Sequence, residues 1–387
     1  MNDVTIAAPA TAIHGEVGAG FERVRDAFAA NFERSDAYRE HGAALTVFVA
    51  GRQVVDVWAG HADRACTRPW RRDTLINVYS ATKGIVAVAM AMLVDEGKLA
   101  YGDLVTRHWP EFGQAGKETT TVAQLLAHQA GLTGFQESTS IEGLYDWPAR
   151  CAALARQAPF WPPGAVHSYH AMTWGFLAGE LIRRASGMSA GRFIAERIAA
   201  RVGADVFVGL PESEERRVAQ LFGPRVAPDL GALTQPQQAL MALVNPQLDP
   251  EIPNSRAWRA AEIPAANGHA SAQGIARVYA ALANRGELDG VRLLSTDAIH
   301  RMTQVQSDGV DQLLGFKGNW AMGLSFNQLG MLGPHPDTFG HAGWGGSFGC
   351  ANLEMQVGIG YVCNQMGADL VGDPRGAGLC KVIFDCL

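Results

Sequence analysis

Apolar residues at Phe21, Val24, Phe28 and Phe32 recur three and four positions apart, with Glu22, Arg23, Arg25 and Asp26 between them. That period predicts an amphipathic helix over about residues 20–34, with one face to bury. The period then shortens. Ala44–Ala50 and Gln53–Ala59 are β-branched and aromatic runs on either side of a short glycine turn, Gly51-Arg52, and they predict an antiparallel hairpin. A polar stretch over 61–74 leads to a strand-like Leu75–Tyr79. Ser80–Gly97 then reads as a helix that is apolar on nearly every side and stops at a glycine, which places it at the centre of the molecule.

From about 105 to 265 the pattern is helical: Val122–His128, Ala149–Gln157, Thr173–Ser186 and Ala190–Val202, with Pro162-Pro163-Gly164 as a turn. The proline-rich stretch 203–265 has little periodicity and predicts long surface loops capping the molecule. After Ser271 a helix to about Asn284 precedes strand-like runs at Trp320–Leu324, Phe339–Ala342, Gly349–Glu354 and Val357–Asn364, and a last helix lies near 376–386. Strands at both ends with helices between predict an α/β (α+β) fold. Residues 1–105 and 265–387 form a discontinuous domain with a central antiparallel sheet, and 106–264 form an inserted, mostly helical domain.

Composition narrows the function. Of 387 residues, 48% are apolar and 18% charged, so this is a folded chain with much to bury. The net charge is −6 and no Lys/Arg run is present, which argues against nucleic acid as a partner. The longest apolar run, Ile85–Val94, falls far short of the roughly 20 residues that span a bilayer, so no membrane association is expected. Six cysteines without C-x-x-C spacing, and a start without a basic n-region, point to free thiols in a cytoplasmic protein. No metal-ligand cluster and no phosphate-binding glycine loop occurs, so neither metal nor cofactor is expected.

Two serines compete as nucleophile. Ser347, in Gly345-Gly346-Ser347-Phe348-Gly349, satisfies the G-x-S-x-G pattern of a nucleophile elbow. An elbow needs a helix after its serine and a histidine downstream, whereas this serine is followed by a β-rich run and no histidine at all. Ser80, in Ser80-Ala81-Thr82-Lys83, opens the apolar helix. Only five lysines stand against 27 arginines, and of those five only Lys83 has a serine three residues before it. Residues i and i+3 are neighbours on a helix, and burial lowers a lysine's pKa until the amine accepts the serine proton, which an arginine never does. The helix start adds N–H groups that favour developing negative charge. The plainer alternative is an N-cap serine with a lysine that snorkels to the surface.

These residues, with Leu125-Leu-Ala-His-Gln-Ala-Gly-Leu132 and Trp161-Pro-Pro-Gly-Ala-Val-His-Ser-Tyr169, resemble the serine β-lactamase-like superfamily, and most of all the family VIII carboxylesterases related to class C β-lactamases and D-Ala-D-Ala carboxypeptidases. The resemblance spans about residues 20–385 and implies the β-lactamase/DD-peptidase-like fold. It implies that Ser80 is acylated, and that Lys83 and Tyr169 act as general base and then as acid for the leaving group. The segment His341-Ala-Gly-Trp344-Gly345-Gly346-Ser347 stands where the superfamily has its K-T-G strand. That implies substrate contacts from His341, Trp344, Gly345 and Gly346, and an oxyanion hole from the N–H groups of Ser80 and Ser347. Trp344 stands where the strand lysine is expected, and Ala171 replaces the asparagine of the Y-x-N element, so a cationic partner for a carboxylate is missing. An ester of short to medium acyl chain is therefore the expected substrate, with at most weak β-lactam hydrolysis. A β-lactamase or DD-peptidase, an acyltransferase, or a non-catalytic assembly protein of the same fold are the alternatives. His128 and His170 read as structural, and tryptophans 147, 161, 174, 320 and 344 as candidate pocket walls.

Overall fold

The computed structural model describes residues 11–227 and 237–387; the leader-free reading of the first ten residues, and part of the 203–265 loop reading, lie outside them. The chain opens with β1 (Ile13–Val17), a helix over Glu22–Glu33, β2 (Gly42–Val49) and β3 (Arg52–Gly60). Ala50 and Gly51, both at positive φ, make the two-residue turn that a right-twisted hairpin favours. A second, three-stranded sheet joins β4 (Ile76–Asn77), β5 (Val206–Phe207) and β6 (His269–Ala270) in the order β4-β6-β5. The hairpin β7 (Glu287–Leu288) and β8 (Val291–Arg292) precedes β9 (Ser307–Val310), β10 (Lys317–Trp320), β11 (Ser325–Phe326), β12 (Phe339–Ala342), β13 (Phe348–Asn352) and β14 (Val357–Cys363). The main sheet is antiparallel, in the order β1-β3-β2-β14-β13-β12-β11-β10-β9.

The two chain ends meet in mid-sheet, where β14 pairs with β2 from Val357 opposite Val49 to Cys363 opposite Ala43. Side chains alternate along β2. Ala43, Leu45 and Val47 face Val24, Phe28 and Phe32 of the first helix and Leu379 and Ile383 of the last helix, Pro374–Phe384. Ala44 and Phe48 face the opposite core, which holds the helix Ala272–Ala283 and the helix Thr82–Asp95. A sheet covered on both faces needs apolar residues at successive positions, which is why β2 and β14 read as continuous runs. In the helix Thr82–Asp95 every residue to Val94 is buried, including Lys83.

Between these halves the chain is mostly helical. The helix Thr173–Ser186 ends at Gly187, and the predicted Ala190–Val202 helix contains a π-helical turn over Ile194–Ala199. The prolines of 203–265 conceal short helices at Gln237–Val244 and Arg256–Ala260, so that stretch is less loop-like than its sequence suggested. One buried cluster runs from Phe48 of the sheet through the helix Thr82–Asp95 to Trp174 and Leu181 of the helical stretch.

Candidate active site

Ser80 sits where β4 breaks into the central helix. Tyr79 turns the chain there with a φ of +43°, a left-handed value that a bulky residue holds only when its surroundings fix it. They do: its hydroxyl donates to Pro250 O at 2.7 Å, and its ring lies 5.4 Å from the ring of Trp344. Tyr79–Ala81 form one 3-10 turn before the α-helix begins at Thr82. Ser80 is left half-buried on the floor of a pocket, one turn before Lys83.

The Lys83 side chain is enclosed, and its Nζ lies 3.2 Å from Ser80 Oγ, 2.9 Å from Tyr169 Oη, 2.8 Å from Ala171 O and 3.0 Å from Ala265 O. Loss of water holds this amine well below the ordinary lysine range. The two carbonyls can only accept, so they take two N–H bonds of the amine, and its remaining position is shared by the hydroxyls of Ser80 and Tyr169. The surface-lysine alternative is excluded by this burial.

Burial also raises the Tyr169 phenol above its usual range, with a hydrogen bond to the Ser80 hydroxyl pulling the other way, so the resting phenol is neutral. The ring stacks on Trp320 at 5.5 Å, meets His128 at 4.9 Å, and its own N–H donates to Asp311 Oδ1 at 3.1 Å. His128 Nδ1 accepts the His170 N–H, and His170 Nε2 accepts that of Leu132, which gives both histidines the structural roles expected of them.

On the far side stands β12. The strand residue that reaches Tyr169 is His341, with ring centroids 6.0 Å apart, whereas Trp344 lies beside Tyr79. Of these two expected substrate contacts, His341 is therefore the one that faces the Lys83–Tyr169 pair, and Trp344 the one that faces the turn before Ser80. The His341 Nδ1 donates to Ala342 O at 2.8 Å, and burial holds the ring neutral, its pKa pushed down to about 3, so it offers no cation. Gly343 brings the strand onto the nucleophile turn: a Cβ there would stand 2.0 Å from Val78 O.

His341, Ala342 and Trp344 line the pocket, but Gly345, Gly346 and Ser347, the other expected contacts, do not. Gly345 packs on Met366 and Gly346 beside Asp373 and Arg375. Ser347 is buried behind the turn, its carbonyl accepting the Gly343 N–H at 2.7 Å and its hydroxyl the Cys363 N–H at 3.3 Å. The Gly-rich G-x-S-x-G match therefore spans the turn from β12 into β13, with its serine off the pocket.

The pocket encloses about 380 Å³. Its outer wall comes from part of the expected capping stretch, the end of the helix Gln237–Val244 with the loop after it, from residues 313–320 including the expected Trp320, and from residues 326–332, which the sequence did not single out. No Asp, Glu, Lys or Arg is among its described lining residues. Trp320 and Trp344 line it, whereas Trp174 and Trp147 donate to Leu126 O and Glu180 in the core. Among the described residues no group of three or more His, Cys, Asp and Glu is placed to hold a metal ion, and no helix is long and apolar enough to cross a membrane.

A serine at the head of a buried helix thus lies within hydrogen-bond distance of a buried lysine that also reaches a phenol, on the floor of an apolar pocket, an arrangement suited to a serine hydrolase. The chain belongs to the Beta-lactamase family, whose model matches residues 28–379, and within it to the group of family VIII carboxylesterases and class C β-lactamase-like proteins. It is 34% identical over 370 residues to the Esterase/beta-lactamase LipL of Mycobacterium tuberculosis (strain ATCC 25618 / H37Rv), covering 93% of this chain and 84% of that one. A family VIII carboxylesterase of solved structure is 45% identical, with a TM-score of 0.92 over 97% of this chain and 100% of that one. A penicillin-binding protein homolog from Caulobacter crescentus is 40% identical, again with a TM-score of 0.92, over 97% and 100%.

Proposed function

We propose that this protein hydrolyses carboxylic esters through an acyl-enzyme on Ser80. The observation that carries the reading is the enclosed Lys83 amine within hydrogen-bond distance of both the Ser80 and the Tyr169 hydroxyls, with burial favouring its unprotonated form. Lys83 takes the Ser80 proton, directly or through Tyr169, as the serine oxygen bonds to the ester carbonyl carbon. When the tetrahedral intermediate collapses, the proton returns through the Tyr169 hydroxyl to the departing alkoxide. Water then repeats the sequence on the acyl-enzyme, releasing the acid and restoring Ser80.

The oxyanion needs two donors. The Ser80 N–H at the helix head is one. For the other, the position after β12 favours Trp344 over Ser347. The Gly343 N–H is spent on Ser347 O, and Ser347 is buried behind the turn, off the pocket. Trp344, the first residue of that turn, lines the pocket beside the Ser80 turn, so its N–H is the one we assign as the second donor.

Substrate follows from the walls. With about 30 Å³ per water-sized group, a 380 Å³ pocket holds about a dozen heavy atoms, enough for a short to medium acyl chain with its alcohol. A lining without cations, with His341 neutral, leaves the carboxylate of a β-lactam or a D-Ala-D-Ala peptide without a partner. All six cysteines are free, which supports a reducing compartment, the cytoplasm. The test is turnover of p-nitrophenyl acetate, butyrate and octanoate beside a chromogenic cephalosporin. Ester turnover that dominates and disappears in Ser80→Ala supports the reading; cephalosporin turnover of equal rate overturns it.

A further inference from the structure

Behind the strand turn lies a charged cluster that the mechanism does not use. Arg375, at the start of the helix Pro374–Phe384, has a side chain 0% exposed, and so has Glu40, whose Oε2 lies 3.1 Å from Arg375 Nη1. Asp373 takes the Nε at 2.8 Å and the Nη2 at 2.6 Å. The remaining guanidinium bonds go to backbone: Nη2 donates to Gly345 O at 2.9 Å and Nη1 to Gln365 O at 2.8 Å. Gly345 O also accepts the Gly367 N–H at 3.0 Å, so one carbonyl of the turn receives two N–H donors. Burying a charge cluster is a costly way to fill an otherwise apolar core. Gly345 and Gly346, at φ +96° and +114°, give the turn little stiffness of its own.

We infer that Arg375 is a positioning residue for catalysis: by clamping Gly345 O it fixes the turn that presents the Trp344 N–H to the oxyanion and the Trp344 indole to the pocket. The inference rests on the esterase reading and deepens it. The planar fork suits the task, because it reaches two carbonyls and two carboxylates at once, which a lysine ammonium does not. Ser347 belongs to the same turn through its carbonyl and hydroxyl, so the G-x-S-x-G segment acquires a role as scaffold.

The test compares wild type with Arg375→Lys and with the paired variant Arg375→Met/Glu40→Gln, which leaves neither of these two charges unpaired. Active sites are counted by a serine-directed phosphonate, and kcat, KM for p-nitrophenyl butyrate and affinity for an alkyl boronic acid, whose tetrahedral adduct occupies the oxyanion hole, are measured. Removing one oxyanion donor typically costs about 10²–10³ in kcat, so misplacing it should lower kcat roughly 10–100-fold. KM should stay within about twofold and boronate affinity should fall with kcat. Glu180→Gln weakens a buried carboxylate paired with the partly exposed Arg183 and Arg184, away from the pocket, and should lower the melting temperature without touching kcat. Wild-type kcat and boronate affinity per titrated site in either Arg375 variant would overturn the clamp alone. A wild type without Ser80-dependent ester turnover would overturn the esterase reading and the clamp with it.

Discussion

Replacing Lys83 separates a proton acceptor from a mere cation. Lys83→Arg keeps a donor to Ala171 O and Ala265 O but stays protonated at any working pH, and Lys83→Met keeps bulk alone. If the amine lone pair is the base for Ser80, both lose the full contribution of a general base, about 10²–10⁴ in kcat/KM, or about 2.7–5.5 kcal/mol of transition-state stabilisation. The same neutrality has a thermodynamic signature. The lysine pKa is held well below 10.5 in the folded protein and returns there on unfolding. Between those two values the unfolded chain binds one more proton than the folded one, so stability rises with pH, at roughly 1.4 kcal/mol per unit. Denaturant unfolding of wild type and Lys83→Met at several values between about pH 7 and 9 reads this directly. The difference in unfolding free energy, wild type minus variant, should climb with pH while kcat/KM of the wild type falls on acidification, as the lone pair is lost. An Arg variant within tenfold of wild type, or parallel stability curves, would show that Lys83 is charged in the folded state and refute the reasoning.

Tyr169→Phe leaves the stack on Trp320 and the backbone bond to Asp311 intact and removes only the hydroxyl, so stability should hardly change while kcat falls about 10²–10³-fold in steady-state ester assays. Gly343→Ala places a methyl 2.0 Å from Val78 O, backbone against backbone, so the strand must retreat from the nucleophile turn. Activity should be lost beyond what any fall in melting temperature explains. Ser347→Ala loses one hydrogen bond behind the turn, worth about 0.5–1.5 kcal/mol, and should keep kcat within about twofold.

The contact between Ser80 and Lys83 was legible because their relation is local: a serine and a lysine three apart at the head of one helix need no tertiary information. The helix over Glu22–Glu33 and the β2–β3 hairpin were legible for the same reason, since their periods differ and their turn is short. What sequence missed depends on tertiary placement. The turn between β12 and β13 sets Trp344 against the pocket and Gly345, Gly346 and Ser347 behind it, and the G-x-S-x-G spelling is indifferent to that placement. β1, the five-residue edge strand Ile13–Val17, alternates intermediate and exposed positions and so carries no buried run to read. Of the strand expected at Trp320–Leu324 only Trp320 is in a strand, the end of β10; residues 321–324 are the turn that leads to β11. The Glu40–Arg375 pair joins residues on opposite sides of the chain, and a lone glutamate and a lone arginine carry no local signal.

The central claim, an acyl-enzyme on Ser80, is tested most directly by mapping the bond. Wild type and Ser347→Ala are mixed with p-nitrophenyl butyrate, quenched within one turnover, digested with trypsin and examined by mass spectrometry. A butyryl group on the peptide that ends at Lys83, in both proteins, is the predicted result. A butyryl group on the peptide containing Ser347, lost in Ser347→Ala, would contradict the account.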